Sequence, residues 1–189
     1  MRPEDSLYHQ GACLCYTRAV GLLIVFTGNG KGKTTAALGQ TVRALGHGWK
    51  CAFLQFIKAD RAVGEALFAP SQGLLDFRTL GLGFVLPGEE VSRHREAARA
   101  AWGEARGVIA SGDYRLVVLD ELTYLARLGF LSAGEMVEGL CSRPSCVHIV
   151  VTGRGAPPEL IEAADLVTEM AERKHPLHGG APAQEGIEY

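Results

Sequence analysis

No stretch of this 189-residue chain approaches the ~20 consecutive apolar residues of a membrane-spanning helix. The longest run, Val20 to Phe26, is broken by Gly21 and has the length of a buried strand. The first residues, Met1-Arg2-Pro3-Glu4-Asp5, carry charge where a secretory signal needs an apolar stretch. A cytoplasmic protein with no membrane partner is expected. Charge of one sign is also missing. Lys and Arg number 19 against 21 Asp and Glu, a net −2, which argues against nucleic acid as a partner. The five cysteines, Cys13, Cys15, Cys51, Cys141 and Cys146, are odd in number and irregularly spaced, so no disulfide framework is expected. Cys13 and Cys15 lack a second Cys or His pair at zinc-finger spacing, and all five are read as reduced and structural. No Ser-His-Asp or Cys-His set suggests itself.

What is present is an alternation of strand and helix patterns. Strands are expected at Leu22–Phe26, Cys51–Ile57, Asp76–Leu80, Leu116–Glu121, Val147–Thr152 and Leu166–Met170. Helices are expected at Lys33–Leu45, near Val63–Phe68, and at Glu89–Ala110, Ser132–Cys141 and Pro157–Ala164. In the first helix Ala37, Leu38, Thr41, Val42 and Leu45 fall at core spacing. In the long third one Ala98, Ala101, Trp102, Ala105, Val108 and Ile109 do. Such alternation predicts an α/β fold, a mostly parallel sheet with helices on both faces. Residues 1–20 show no period and read as an N-terminal arm, leaving 21–189 as one domain.

The strongest motif is Gly28-Asn29-Gly30-Lys31-Gly32-Lys33-Thr34-Thr35, placed after a buried strand and opening a helix. Glycines let backbone N–H groups converge on phosphate, the helix N-terminus adds unpaired donors, Lys33 brings a full charge, and Thr34 a hydroxyl for Mg²⁺. The loop departs from the usual P-loop. Three residues, not four, separate Gly28 from Gly32, and Thr27 holds the place of the usual first glycine. Ordinary loops of this kind serve chemistry at the γ-phosphate. A tighter cradle hints that the reacting atom lies elsewhere. Farther on, Val117-Val118-Leu119-Asp120-Glu121 ends a strand in two carboxylates, a pattern that can hold Mg²⁺; spacing does not decide between Asp120 and Glu121.

The loop, together with Gln55-Phe56-Ile57-Lys58, Leu119 to Tyr124, Val151-Thr152-Gly153-Arg154-Gly155 and the tail from Lys174-His175 to Gly186-Ile187-Glu188-Tyr189, resembles the ATP:corrinoid adenosyltransferases of the RecA-like P-loop type. The matches run in order from about residue 22 onward. The resemblance implies that Co(I) of a reduced corrinoid attacks the 5′-carbon of ATP and expels tripolyphosphate, in cobalamin biosynthesis. It implies Gly28, Asn29, Gly30, Lys31, Gly32, Lys33, Thr34 and Thr35 on the triphosphate and Arg154 as a further ATP contact. Lys33, Thr34 and Glu121 become the catalytic set. Thr34 and Glu121, with Asp120 beside them, become the residues for Mg²⁺ or Mn²⁺. The plain alternative for Arg154 is a surface arginine in a Gly-Arg-Gly turn. The resemblance also implies an electron-donating reductase and a homodimer. The family's corrinoid stretch, Gly-x-Gly-Phe-Thr-Trp, reads here Gly81-Leu82-Gly83-Phe84-Val85-Leu86. Phe84 is kept; Leu86 replaces the flat ring that helps displace the lower axial ligand of cobalt. A P-loop ATPase or small-molecule kinase, or a nucleotide-binding regulatory module, would use the same loop and carboxylates.

Overall fold

The computed structural model describes residues 20–57, 63–81, 83 and 91–188. Its strands are β1 (Leu23–Thr27), β2 (Cys51–Gln55), β3 (Leu75–Thr79), β4 (Leu116–Asp120), β5 (His148–Thr152) and β6 (Leu166–Glu169). All pair in parallel, in the order β3-β2-β4-β5-β1-β6. The helices are α1 (Lys33–Gly46), α2 (Gly64–Phe68), α3 (Val91–Ser111), α4 (Thr123–Arg127), α5 (Ala133–Cys141) and α6 (Pro158–Ala163). The expected α/β architecture is therefore observed. Each helix is a crossover that returns the chain to the same end of the sheet, so every strand delivers its C-terminal end to one edge.

Alternation along the strands makes two cores. Leu23, Val25, Leu54, Val117, Leu119, Ile149 and Val151 face α3, α5 and α6. Phe53, Val118 and Val150 face Ala37 and Ala44 of α1. β2 and β4 are buried at every position, as central parallel strands without polar alternation must be. Trp102 of α3 reaches α5 at Gly139, where a β-carbon would come within 2.5 Å of its ring. α5 starts with a reciprocal capping box between Ser132 and Glu135. At the edge, Arg78 of β3 bridges Asp76 (2.5 Å) and Glu104 of α3 (2.9 Å).

Three expectations need correcting. Val42 is 57% exposed, because α1 turns only the narrow stripe of Lys33, Ala37, Thr41 and Ala44 inward. Cys51, Cys141 and Cys146 are free thiols, in keeping with reduced cysteines, but only Cys51 is buried, its thiol pushed up to about 11, while Cys141 and Cys146 are exposed and not structural. The five-residue helix α4 was not anticipated; it is too short to show a period. The N-terminal arm, Lys58 and the Phe84–Leu86 stretch lie outside the described residues, apart from Val20 at the arm's end.

Candidate functional site

The register sets a polar row at the C-terminal edge. Gln55 pairs with Asp120 across β2 and β4, and Thr152 ends β5 beside them. Asp120 is completely buried. Its Oδ1 accepts from the Thr34 hydroxyl (2.9 Å) and the Thr152 hydroxyl (2.7 Å), and its Oδ2 from Gln55 Nε2 (3.3 Å). The other Gln55 amide hydrogen goes to Glu65 Oε1 on α2 (3.0 Å). Two carboxylates thus fix the amide orientation and leave Gln55 Oε1 as a buried acceptor without a hydrogen-bond partner in the structure.

The phosphate loop is shaped by the chain that follows β6. The Gly30 N–H donates to the Met170 carbonyl (2.7 Å), and Met170 N–H donates to the Thr27 carbonyl (2.9 Å). This approach is so close that a β-carbon on Gly30 would meet the Met170 oxygen at 2.7 Å. Gly28 has φ 92°, and a β-carbon there would meet Met170 N at 2.8 Å. Gly28→Ala should therefore destabilise the fold by about 2–4 kcal/mol, through strain and overpacking together. Denaturant unfolding measures this; an unchanged midpoint would mean that the packing of Met170 on the loop is wrong.

Gly32 stands at the N-cap of α1 with φ 113°, and no side chain caps the helix. The first amides of the helix thus face the loop's concavity without an intrahelical acceptor. Lys33, 6% exposed, folds its ammonium onto the Gly28 (2.9 Å) and Gly30 (2.7 Å) carbonyls. Burial holds Lys33 below the ordinary lysine range. Glu121 opposes that shift, Arg154 reinforces it and Asp120 opposes it. Lys33, Glu121 and Arg154 line one cavity, and Asp120 is hydrogen-bonded to Thr34 at its floor.

These groups open into a cavity of about 400 Å³. Of the sequence-predicted residues, Gly30, Lys31, Gly32, Lys33, Thr34, Thr35, Glu121 and Arg154 line it. Gly28 shapes the loop from behind, and Asp120 lies beneath Thr34. Glu121 is held at φ 62°, a left-handed conformation uncommon for a residue with a side chain, while its N–H donates to the Thr152 hydroxyl (2.9 Å). Arg154 is placed by its own carbonyl, which accepts from the Thr123 hydroxyl (2.9 Å). Sequence reasoning gave no place at the site to Gln55, Glu65, Ile187 or Glu188, and read Leu38 only as a core position, although Gln55 and the tail stood in stretches that carried the resemblance. Phe84 and Leu86 lie outside the described residues. Gly81 and Gly83, which flank Leu82, line a small cavity of about 20 Å³ with Phe56, Ile57, Leu125 and Phe130 at the same edge of the sheet.

Residues 19–189 match the model of the family described as ATP:corrinoid adenosyltransferase BtuR/CobO/CobP. The chain is 43% identical over 170 residues to a corrinoid adenosyltransferase of Pseudomonas aeruginosa, covering 89% of this chain and 84% of that protein. It is 40% identical over 169 residues to the corrinoid adenosyltransferase of Escherichia coli K12, with 89% and 86% covered. It is 38% identical over 169 residues to the corrinoid adenosyltransferase CobA of Salmonella typhimurium, with the same coverage.

Proposed function

Since this chain belongs to the ATP:corrinoid adenosyltransferase family, we propose that it transfers the 5′-deoxyadenosyl group of ATP to Co(I) of a reduced corrinoid and releases tripolyphosphate. The cobalt electron pair forms the Co–C bond. The C5′–O bond breaks, and its electron pair leaves with the tripolyphosphate. No proton moves at carbon, so no general base is required; positioning and charge stabilisation suffice.

The observation that carries this reading is the loop. Its first glycine, Gly28, stands one residue nearer Gly32 than in the usual form, and its Gly30 N–H is spent on Met170. Lys33, the open helix N-terminus and Arg154 remain to face the phosphates. That arrangement suits a triphosphate gripped as a departing anion. Gly81 and Gly83, beside the small apolar cavity at the same edge of the sheet, support a corrinoid arriving on that side. For Phe84 and Leu86 the assignment rests on the family resemblance.

A Mg²⁺ or Mn²⁺ ion fits the donors. Lys31, Lys33 and Arg154 are matched along the cavity by Glu65, Glu121 and Glu188, with the buried Asp120 beneath Thr34, so a triphosphate needs an accompanying cation. Hard oxygen donors stand together at Thr34, Asp120 and Glu121, and Gln55 Oε1 is a buried oxygen awaiting a donor or ion. Bound there, the ion would neutralise charge gathering on the leaving tripolyphosphate. Transfer to Co(I) calls for an electron-donating reductase as partner, and we include a homodimer and a cytoplasmic setting in the proposal. Among the described residues no helix is long and apolar enough to cross a membrane.

Incubation with ATP, Mg²⁺ and chemically reduced cobalamin should produce the light-sensitive spectrum of an adenosylated corrinoid, with one tripolyphosphate for each adenosyl group. Formation of ADP independent of corrinoid would replace this reading by an ATPase or kinase. ATP binding without turnover would leave a regulatory module.

A further inference from the structure

The last described residues turn back onto the phosphate loop. The Ile187 and Glu188 amides both donate to the Gln184 carbonyl (3.2 and 2.7 Å), and Gly186 takes φ 73° within that turn. From the loop, the Lys31 ammonium donates to the Ile187 carbonyl (2.8 Å) and to Glu188 Oε2 (2.7 Å). The Lys31 and Glu188 side chains are 41% and 27% exposed, so the ion pair is too well solvated to contribute much to folding. Its effect is positional: it holds Gly186, Ile187 and Glu188 as one wall of the 400 Å³ cavity, which Leu38 of α1 also lines.

Among the described lining residues, Leu38 and Ile187 are the two large aliphatic side chains; the others are glycines, threonines, charged groups and His175. Ile187 is 65% exposed. The triphosphate of ATP has its partners at Lys33 and the helix N-terminus. The base is the part of ATP with a flat apolar face, and it is this face that an aliphatic wall can cover.

We propose that residues 186–188 form a strap that recognises the nucleoside half of ATP. Lys31 and Glu188 clip it to the loop, and Ile187 with Leu38 provides the apolar lining for the base. The inference rests on ATP as the substrate. It has a further consequence, because Glu188 holds the ammonium that a triphosphate would otherwise draw. Breaking the clip frees a cation for phosphate while loosening the wall for the nucleoside.

Calorimetric titration of the full chain with Mg-ATP and, separately, Mg-tripolyphosphate tests this. Ile187→Ala should weaken ATP roughly tenfold, the scale of losing one apolar side chain from a ligand pocket, and leave tripolyphosphate within about twofold. Glu188→Gln should weaken ATP relative to tripolyphosphate, with tripolyphosphate affinity unchanged or higher. Both ligands weakening by one factor in either variant, or neither moving, would overturn the strap and leave the tail as packing. Wild-type protein that binds tripolyphosphate but not ATP would overturn the substrate and the strap together. Wild-type protein that binds ATP yet adenosylates no corrinoid would remove the transfer reaction while the strap survives on the Ile187→Ala ratio.

Discussion

Lys33→Ala is expected to lower the rate of adenosyl transfer by about a thousandfold or more while the protein keeps its fold. Removing one neutral donor from a site that stabilises developing charge costs on the order of 10²–10³ in rate, and Lys33 brings a full charge. The residue is buried, and its ammonium donates to two carbonyls of its own loop. A cation held in this way contributes little to stability, since burial already penalises its charged form. The melting temperature should therefore stay within a few degrees of wild type. The pH dependence follows the same sign. A triphosphate needs the protonated lysine, and the free protein holds the Lys33 pKa below its ordinary value. ATP affinity should be full at lower pH and decline as pH rises through that depressed pKa, with proton uptake on binding. Stopped-assay kinetics and calorimetry in buffers of different ionisation enthalpy measure both. Turnover within tenfold of wild type would remove Lys33 from the chemistry.

Glu121→Gln and Asp120→Asn should separate two adjacent carboxylates by opposite signatures. Glu121 lines the cavity and is held in a left-handed backbone conformation, which costs a non-glycine residue roughly 1–2 kcal/mol. Its neutralisation should reduce kcat by about a hundredfold, a loss of the size expected for one group that orients a metal or charged substrate, with melting unchanged. Asp120 is wholly buried, and three donors converge on its oxygens. The Thr34 and Thr152 hydroxyls can rotate to accept from an asparagine NH₂, but the charge on which three donors converge is lost, and an NH₂ turned toward Gln55 Nε2 leaves a donor unmatched. Asp120→Asn should cost about 2–3 kcal/mol of stability, a drop of roughly 5 °C or more in melting temperature. Its loss of activity would follow from displacement of Thr34. Thermal melts run beside steady-state kinetics on both variants decide the matter. If Glu121→Gln melts early and Asp120→Asn does not, the roles are reversed.

Local features were legible in the sequence, and long-range ones were not. The unbroken apolar run Leu116 to Leu119 and the helical period of Ala101, Trp102, Ala105, Val108 and Ile109 are local signals, so their elements could be placed within a residue or two. The loop declared itself because strand, glycines, Lys33-Thr34 and helix are contiguous. Val42 misled because an apolar residue at the right spacing still sits outside the stripe that α1 turns inward. Glu65 gave no signal, since its place at the site depends on Gln55 ten positions earlier and on β2 lying next to β4. The same holds for Ile187 and Glu188. Their contacts reach back 156 and 157 positions to Lys31, and nothing local in Gly186-Ile187-Glu188 marks a cavity wall. Burial separates Asp120 from Glu121, which lines the cavity, and spacing does not encode burial.

The Gly30 to Met170 hydrogen bond makes the shape of the loop depend on a segment far along the chain. A growing chain that has released only β1 and α1 possesses every glycine of the loop but lacks the segment against which the loop is moulded. The loop therefore reaches its full shape only once Met170 and its neighbours stand behind it.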